Sequence, residues 1–230
     1  MKDQMIFMVG DIHGVFAEFW DAVNAKIEQA GLPDAIIQIG DFGLHTPLIS
    51  TWKNDLDIPV YFIDGNHENF SMVPKGPDIT TLKPAGEGNL HHIARGTVLE
   101  FVGKTFAFCG GGESIDKAYR KVNVSWWPEE RVTDENIADT IENIGSKKID
   151  YLVTHTPPLS VIATHFPPLN LRDWGLHPNW TDESSIRIQK LWEHLNCPKI
   201  ISGHMHMHCR GANYEILPIA GVKVIERGVA

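Results

Sequence analysis

Five short apolar runs, far apart in the chain, each end in a side chain that can ligate a metal, and this repetition constrains the fold more than any other feature. Met5 to Val9 leads into Gly10-Asp11-Ile12-His13-Gly14, and Asp34 to Ile39 ends in Gly40-Asp41. Ile58 to Asp64 leads into Gly65-Asn66-His67-Glu68. Ile149 to Thr154 is followed by His155, and Lys199 to Ser202 by Gly203-His204-Met205-His206. The runs are rich in β-branched residues, as strands buried on both faces are. Side chains alternate along a strand, so Asp11 and His13 leave the first run on the same side. In open α/β sheets, ligands collect beyond the carboxyl ends of the strands. Aspartate, asparagine and histidine bind hard or borderline divalent cations. Strand ends carrying Asp11, His13, Asp41, Asn66, His155, His204 and His206 therefore predict one composite metal site.

Composition limits the remaining possibilities. A chain of 230 residues is most simply one domain spanning 1–230, long enough for a large core. No apolar run approaches the roughly 18 residues needed to cross a bilayer, and the N-terminus runs straight into the first strand without a signal-peptide pattern. Cys109, Cys197 and Cys209 are odd in number and lack C-x-x-C spacing, which fits reduced thiols and a cytoplasmic setting. Cys209 lies close to His206 in sequence; it reads as a neighbouring thiol, with a metal role as the alternative. The formal net charge of −9 argues against a broad nucleic-acid-binding surface. It leaves a nucleotide or other phosphorylated small molecule open, because bound cations would reverse the local field.

Between the motifs, periodicity sets further expectations. Phe16, Phe19, Trp20, Val23 and Ile27 predict a helix over Phe16 to Ala30, stopped by Gly31 and Pro33. Phe42 to Trp52 and Ser71 to Asn89 read as loops, and His45 in the first has no assigned duty. Leu90 to Arg95, Thr97 to Phe101 and Thr105 to Cys109 read as strands, with a hairpin turning at Gly103-Lys104 that fits a second sheet. His91 and His92 read as structural. Thr133 caps a predicted helix running to Ile144. Thr181 to Asn196 predicts a helix with Ile188, Leu191, Trp192 and Leu195 inward, and Tyr214 to Pro218 with Val222 to Ile225 reads as a closing hairpin. Thr156 to Trp180 is the longest irregular stretch, and long loops are commonly functional; with its prolines and tryptophans it reads as a pocket wall or lid, or as a contact in a homo-oligomer. The glycines at 110–112 let backbone approach a ligand or turn sharply. Beyond them, Lys117 or Arg120 either reaches a phosphate or is a surface charge.

The ordered set Gly-Asp-x-His, Gly-Asp, Gly-Asn-His-Glu, His and Gly-His-x-His resembles the calcineurin-like metallophosphoesterase superfamily, spanning Gly10 to His206. Gly110-Gly111, Ser114-Ile115-Asp116, Arg120 and Trp126-Trp127 are similar to a series in its bacterial and phage-borne members. The resemblance implies an α/β fold, a four-layer α/β/β/α sandwich. It implies two metal ions, manganese first with iron or zinc as alternatives: Asp11, His13 and His206 on one, Asn66, His155 and His204 on the other, and Asp41 bridging. A hydroxide shared by the ions would attack phosphorus in line. His67 would be the catalytic residue at the leaving oxygen, Asn66, His67 and Arg120 would touch substrate, and Glu68 would orient His67 or a backbone amide. Protein phosphatases of the superfamily carry an Asp-Arg-Gly after the second Gly-Asp and an Arg before Gly-Asn-His-Glu. Here Phe42-Gly43-Leu44 follows Asp41, and Asp64 precedes Gly65. Both arginines are absent, which favours a phosphodiester or nucleotide over a phosphoprotein. A Ser/Thr-type protein phosphatase or phosphomonoesterase is the alternative. A metal-binding interaction scaffold is the non-enzyme alternative, but a scaffold is expected to lose ligands, and none of the seven is lost.

Overall fold

The computed structural model describes residues 4–45, 48–76, 78–83, 90–196 and 199–227. Two six-stranded mixed sheets face each other. The first contains β1 (Met5–Val9), β2 (Ala35–Gln38), β3 (Val60–Phe62), β4 (Ile79–Leu82), β5 (Leu90–Ile93) and β12 (Val222–Glu226), in the order β12-β1-β2-β3-β5-β4. The second contains β6 (Val98–Phe101), β7 (Lys104–Cys109), β8 (Tyr151–Thr154), β9 (Lys199–Ser202), β10 (Cys209–Arg210) and β11 (Tyr214–Ile216), in the order β10-β11-β9-β8-β7-β6. In each sheet four neighbouring strands run parallel and an antiparallel strand closes either edge.

Period-two alternation divides the apolar residues among three cores. On β1, Phe7 and Val9 face the helix α1 (Phe16–Ala30) with Phe19 and Val23, while Ile6 and Met8 enter the space between the sheets. On β7, Phe106 and Phe108 meet them there, while Ala107 and Cys109 turn outward. That outer face is covered by α2 (Asp134–Ile144) and α4 (Glu183–His194), through Ile144, Ile188 and Leu191. Three cores between four layers make the α/β/β/α sandwich. The Thr133 cap is present: its side chain accepts from Asn136 N, and the Asn136 side chain accepts from Thr133 N.

Four expectations need correction. Ser71 to Asn89 is not wholly loop, since β4 lies within it as an edge strand on β5; its short Ile-Thr-Thr-Leu alternation is hidden by flanking Pro and Gly, and residues 77 and 84–89 lie outside the described residues. Thr156 to Trp180 contains a seven-residue helix, α3 (Leu159–His165), too short to leave a clear periodicity. Between Phe42 and Trp52, residues 48–51 form a short 3-10 helix. The last two strands do not form a hairpin: β11 pairs with β9 and β10 in the second sheet, whereas β12 pairs with β1 in the first. Alternation alone cannot distinguish two partners from one. The connecting segment instead stitches the sheets together, with Leu217 N donating to Ser202 O and Ala220 N to Asp11 O. The turn at Gly103 does make the predicted hairpin of β6 and β7, although Leu90–Ile93 belongs to the other sheet. Cys197 lies outside the described residues.

Candidate metal centre

The loops that leave β1, β2, β3, β8 and β9, all parallel strands, converge at one end of the sandwich. Asp11, His13, Asp41 and His206 form one group of potential ligand atoms within 4.8 Å of one another, and Asp41, His155 and His204 form a second. Asp41 is common to both: its Oδ2 lies 3.7 Å from His13 Nε2 and 3.4 Å from His155 Nε2. Asn66 joins the second group, with Oδ1 2.9 Å from His155 Nε2. His206 Nε2 lies 3.2 Å from Asp11 Oδ2 and 3.0 Å from His13 Nε2. All seven predicted ligands are thus brought together.

The backbone is bent hard to achieve this. His13 (φ 46°), Asp41 (φ 54°), His204 (φ 66°) and His206 (φ 54°) occupy the left-handed region, which costs about 1–3 kcal/mol for each such residue. Hydrogen bonds hold these turns. Ile12 N and His13 N both donate to Asp41 O, His67 N donates to Asp41 Oδ1, and His204 N donates to Asp11. Close approach explains two glycines: a Cβ at Gly65 would collide with Asp41 Oδ1, and one at Gly203 with Asp11 Oδ1. Buried Gln38 binds the carbonyls of Gly10 and Gly40 through Nε2, joining the first two motif loops. Glu68 accepts from the backbone N–H groups of Phe42, Gly43 and Leu44, as a residue that shapes the Asp41 loop would.

The buried carboxylates make the site strongly negative, so a proton and a metal ion would compete for the same ring nitrogens. Burial opposes ionisation of Asp41, but His155 and His67 outweigh it and hold the carboxyl well below its usual range. Burial likewise opposes charge on His155, yet the Asp41 and Asp11 carboxylates lift its imidazole to about 10. Burial and then the adjacent His155 push His204 down to about 3, leaving it neutral. A fully buried carboxylate oxygen, Asp41 Oδ2, accepts no hydrogen bond from the described residues and faces only the ring nitrogens of His155 at 3.4 Å and His13 at 3.7 Å. Buried polar atoms are ordinarily satisfied, and a cation between the two groups would satisfy this one. Nitrogen and oxygen donors suit a borderline divalent metal.

His67 stands beside the cluster, its ring centroid 5.0 Å from that of His13. Arg120 is placed against it: Nη2 lies 2.8 Å from His67 Nδ1 and 3.0 Å from Nε2, and the same nitrogen donates to Asp116 Oδ2 at 2.7 Å. Lys117 instead sits 4.0 Å from Glu113. His45, His91, His208 and Cys209 contribute no atom to either group. His91 pairs with Thr81, and His92, a buried strand histidine as expected, lies 3.5 Å from Asp64.

Two residues escaped the sequence reading. Asn66 Nδ2 donates to Ser114 Oγ, which donates to buried Glu130 Oε2, while Ser114 N donates to Glu130 Oε1. This chain holds the amide of Asn66 so that its oxygen faces His155. Ser114 and Glu130 lie in the Gly-Gly and Trp-Trp segments noted above, but nothing in either segment points to Asn66.

No curated protein matches the chain. A family model, that of the calcineurin-like phosphoesterases, matches residues 5–208. The match covers β1 to β9, including every strand that feeds the cluster, and the chain therefore belongs to the calcineurin-like phosphoesterase family.

Proposed function

We propose that this protein is a two-metal phosphodiesterase acting on a phosphorylated small molecule or nucleotide. The observation that carries the reading is the orphaned Asp41 Oδ2 lying between two sets of donors. Asp11, His13 and His206 would hold one divalent cation, Asn66, His155 and His204 a second, and Asp41 both. Manganese is the first choice, with iron or zinc as alternatives. The cations, when bound, supply Lewis acidity, which acidifies water and offsets charge on phosphoryl oxygens.

The chain's own residues do the rest. Asn66, His67 and Arg120 border the place where a phosphoryl group would meet the cluster. Burial, opposed by Asp41 and aided by Arg120, keeps the His67 pKa below its usual value. His67 is then a neutral imidazole, and its N–H would serve the leaving oxygen once Arg120 Nη2, which lies against both ring nitrogens, turns onto the phosphate. Asp116 accepts from Nε and Nη2 of Arg120 and holds the guanidinium beside His67, from where its N–H groups not used on Asp116 would meet a phosphate oxygen. Preference for a diester rests on Asp64. It stands where protein phosphatases of the superfamily have arginine, and it is committed to Arg95 at 2.6 Å. The two described thiols, Cys109 and Cys209, are unpaired, consistent with the reducing cytoplasm. No helix among the described residues is long and apolar enough to cross a membrane.

Hydrolysis of bis-p-nitrophenyl phosphate and p-nitrophenyl phosphate with added manganese tests the reading. At least tenfold higher kcat/KM for the diester is expected. Preference for the monoester would favour a phosphatase, and no turnover of either would favour a scaffold.

A further inference from the structure

Beside the metal centre lies a cavity of about 910 Å³, within the range of sites that enclose small molecules. One end is formed by Asp41, Asn66, His67, His204 and His206. Most of the remaining lining is apolar, with Ile115, Leu159, Ile162, Phe166, Leu171 and Trp174 on its walls. Among the described residues, no lysine or arginine lines it. Its remaining polar side chains are already engaged. Glu113 pairs with Arg131, Asp116 with Arg120, Thr181 with Glu183, and Asp182 caps α4 through Ser185.

The wall is built into the fold. Ser160 on α3 bonds to Gln189 on α4, and Tyr119 Oη donates to Asp173 O, tying the turn that carries Leu171 and Trp174 to the segment bearing Arg120. A polyanion would find no counter-charge in such a chamber beyond the metal centre and the neighbouring Arg120. A carbohydrate would find few free donors or acceptors. An uncharged aromatic group gains from burial against Trp and Phe.

We infer that the substrate is a phosphate ester with a single phosphoryl group at the metals and an uncharged aromatic substituent seated in the chamber formed by α3 and the Leu171–Trp174 turn. The inference rests on the phosphoesterase reading and narrows it. It disfavours nucleoside polyphosphates and phosphoprotein surfaces. Planar groups as different as a nucleobase and a phenyl ring share the chemistry that fits.

Calorimetric binding of methylphosphonate, phenylphosphonate, 2-naphthylphosphonate and thymidine 5′-phosphate to the manganese-loaded protein tests this. At least tenfold tighter binding is expected for naphthylphosphonate than for methylphosphonate. Ala163→Trp fills the chamber from an exposed position on α3, and it should erase that difference while methylphosphonate binding stays within about twofold. Phe166→Ala should reduce the difference and serves as the second variant. Thymidine 5′-phosphate binding as tightly as naphthylphosphonate would identify the planar group as a nucleobase; binding only as well as methylphosphonate would identify a non-nucleotide aryl group. Equal affinities for methyl and naphthyl ligands, or a naphthyl advantage that survives in Ala163→Trp, would overturn the inference. If bis-p-nitrophenyl phosphate is hydrolysed in the same preparation, that failure leaves the phosphoesterase reading intact. Absence of hydrolysis of any ester would instead remove the reading beneath it.

Discussion

At the scale of single residues, the chemistry depends on which atoms have partners. His67 is bracketed by Arg120 and the cluster but belongs to neither ligand group. Its removal should therefore separate chemistry from metal binding. His67→Ala is expected to lower kcat by about 10²–10⁴-fold, the usual worth of a positioned acid or base, with metal content unchanged by elemental analysis. Arg120→Ala should raise KM as well, and unaltered kinetic parameters would exclude it from the site. The seven metal-site candidates were readable from sequence because donor chemistry resides in residue identity and each follows an apolar run. Ser114 was not readable. A serine has many uses, and its contact with Asn66 spans 48 positions in the chain.

At the scale of elements, loops hold the donors and buried networks hold the loops. Ser114→Ala frees the Asn66 amide to rotate, and loss of such an outer contact typically costs about 10–100-fold in metal affinity or activity. Titration of manganese into Ser114→Ala should show that loss; affinity equal to wild type would show that Asn66 needs no support. Below the β3 loop, Asp64 is buried and receives Nε and Nη2 of Arg95, which also binds the carbonyls of Glu129, Glu130 and Arg131. Breaking a buried pair costs about 3–5 kcal/mol, so Arg95→Ala should lower Tm by about 2–4 °C for each kcal/mol lost. Burial opposes ionisation of Asp64, but Arg95 and His92 hold its carboxyl below the usual range. The stability it provides is therefore present above its unfolded pKa of about 3.9 and lost as pH falls below that value. Denaturant titrations of Asp64→Asn below about pH 4 should show a flatter loss of stability than wild type; an unchanged slope would exclude Asp64 as a contributor. α1, by its apolar face and the Gly31 stop, and α2, by its Thr133 cap and apolar face, were readable over their length. α3 and β4 were not, being too short for a period to emerge.

At the scale of the whole molecule, the site exists because two sheets present the carboxyl ends of parallel strands at the same end of the sandwich. β1, β2 and β3 bring Asp11, His13, Asp41 and Asn66 from one side, and β8 and β9 bring His155, His204 and His206 from the other. The crossing between β11 and β12 joins the sheets next to Asp11, and reading these strands as a hairpin missed it because pairing partners are set by the assembled core. The family resemblance anticipated the layers; local patterns alone could not have assigned β5 and β6, separated by four residues, to different sheets. The most direct test is anomalous diffraction at the manganese absorption edge from crystals of the manganese-loaded protein. Two peaks are expected, one on either side of Asp41 Oδ2, with at least one lost in Asp41→Ala. Absence of peaks at these side chains, or two undiminished peaks in Asp41→Ala, would contradict a pair of cations joined through that carboxylate.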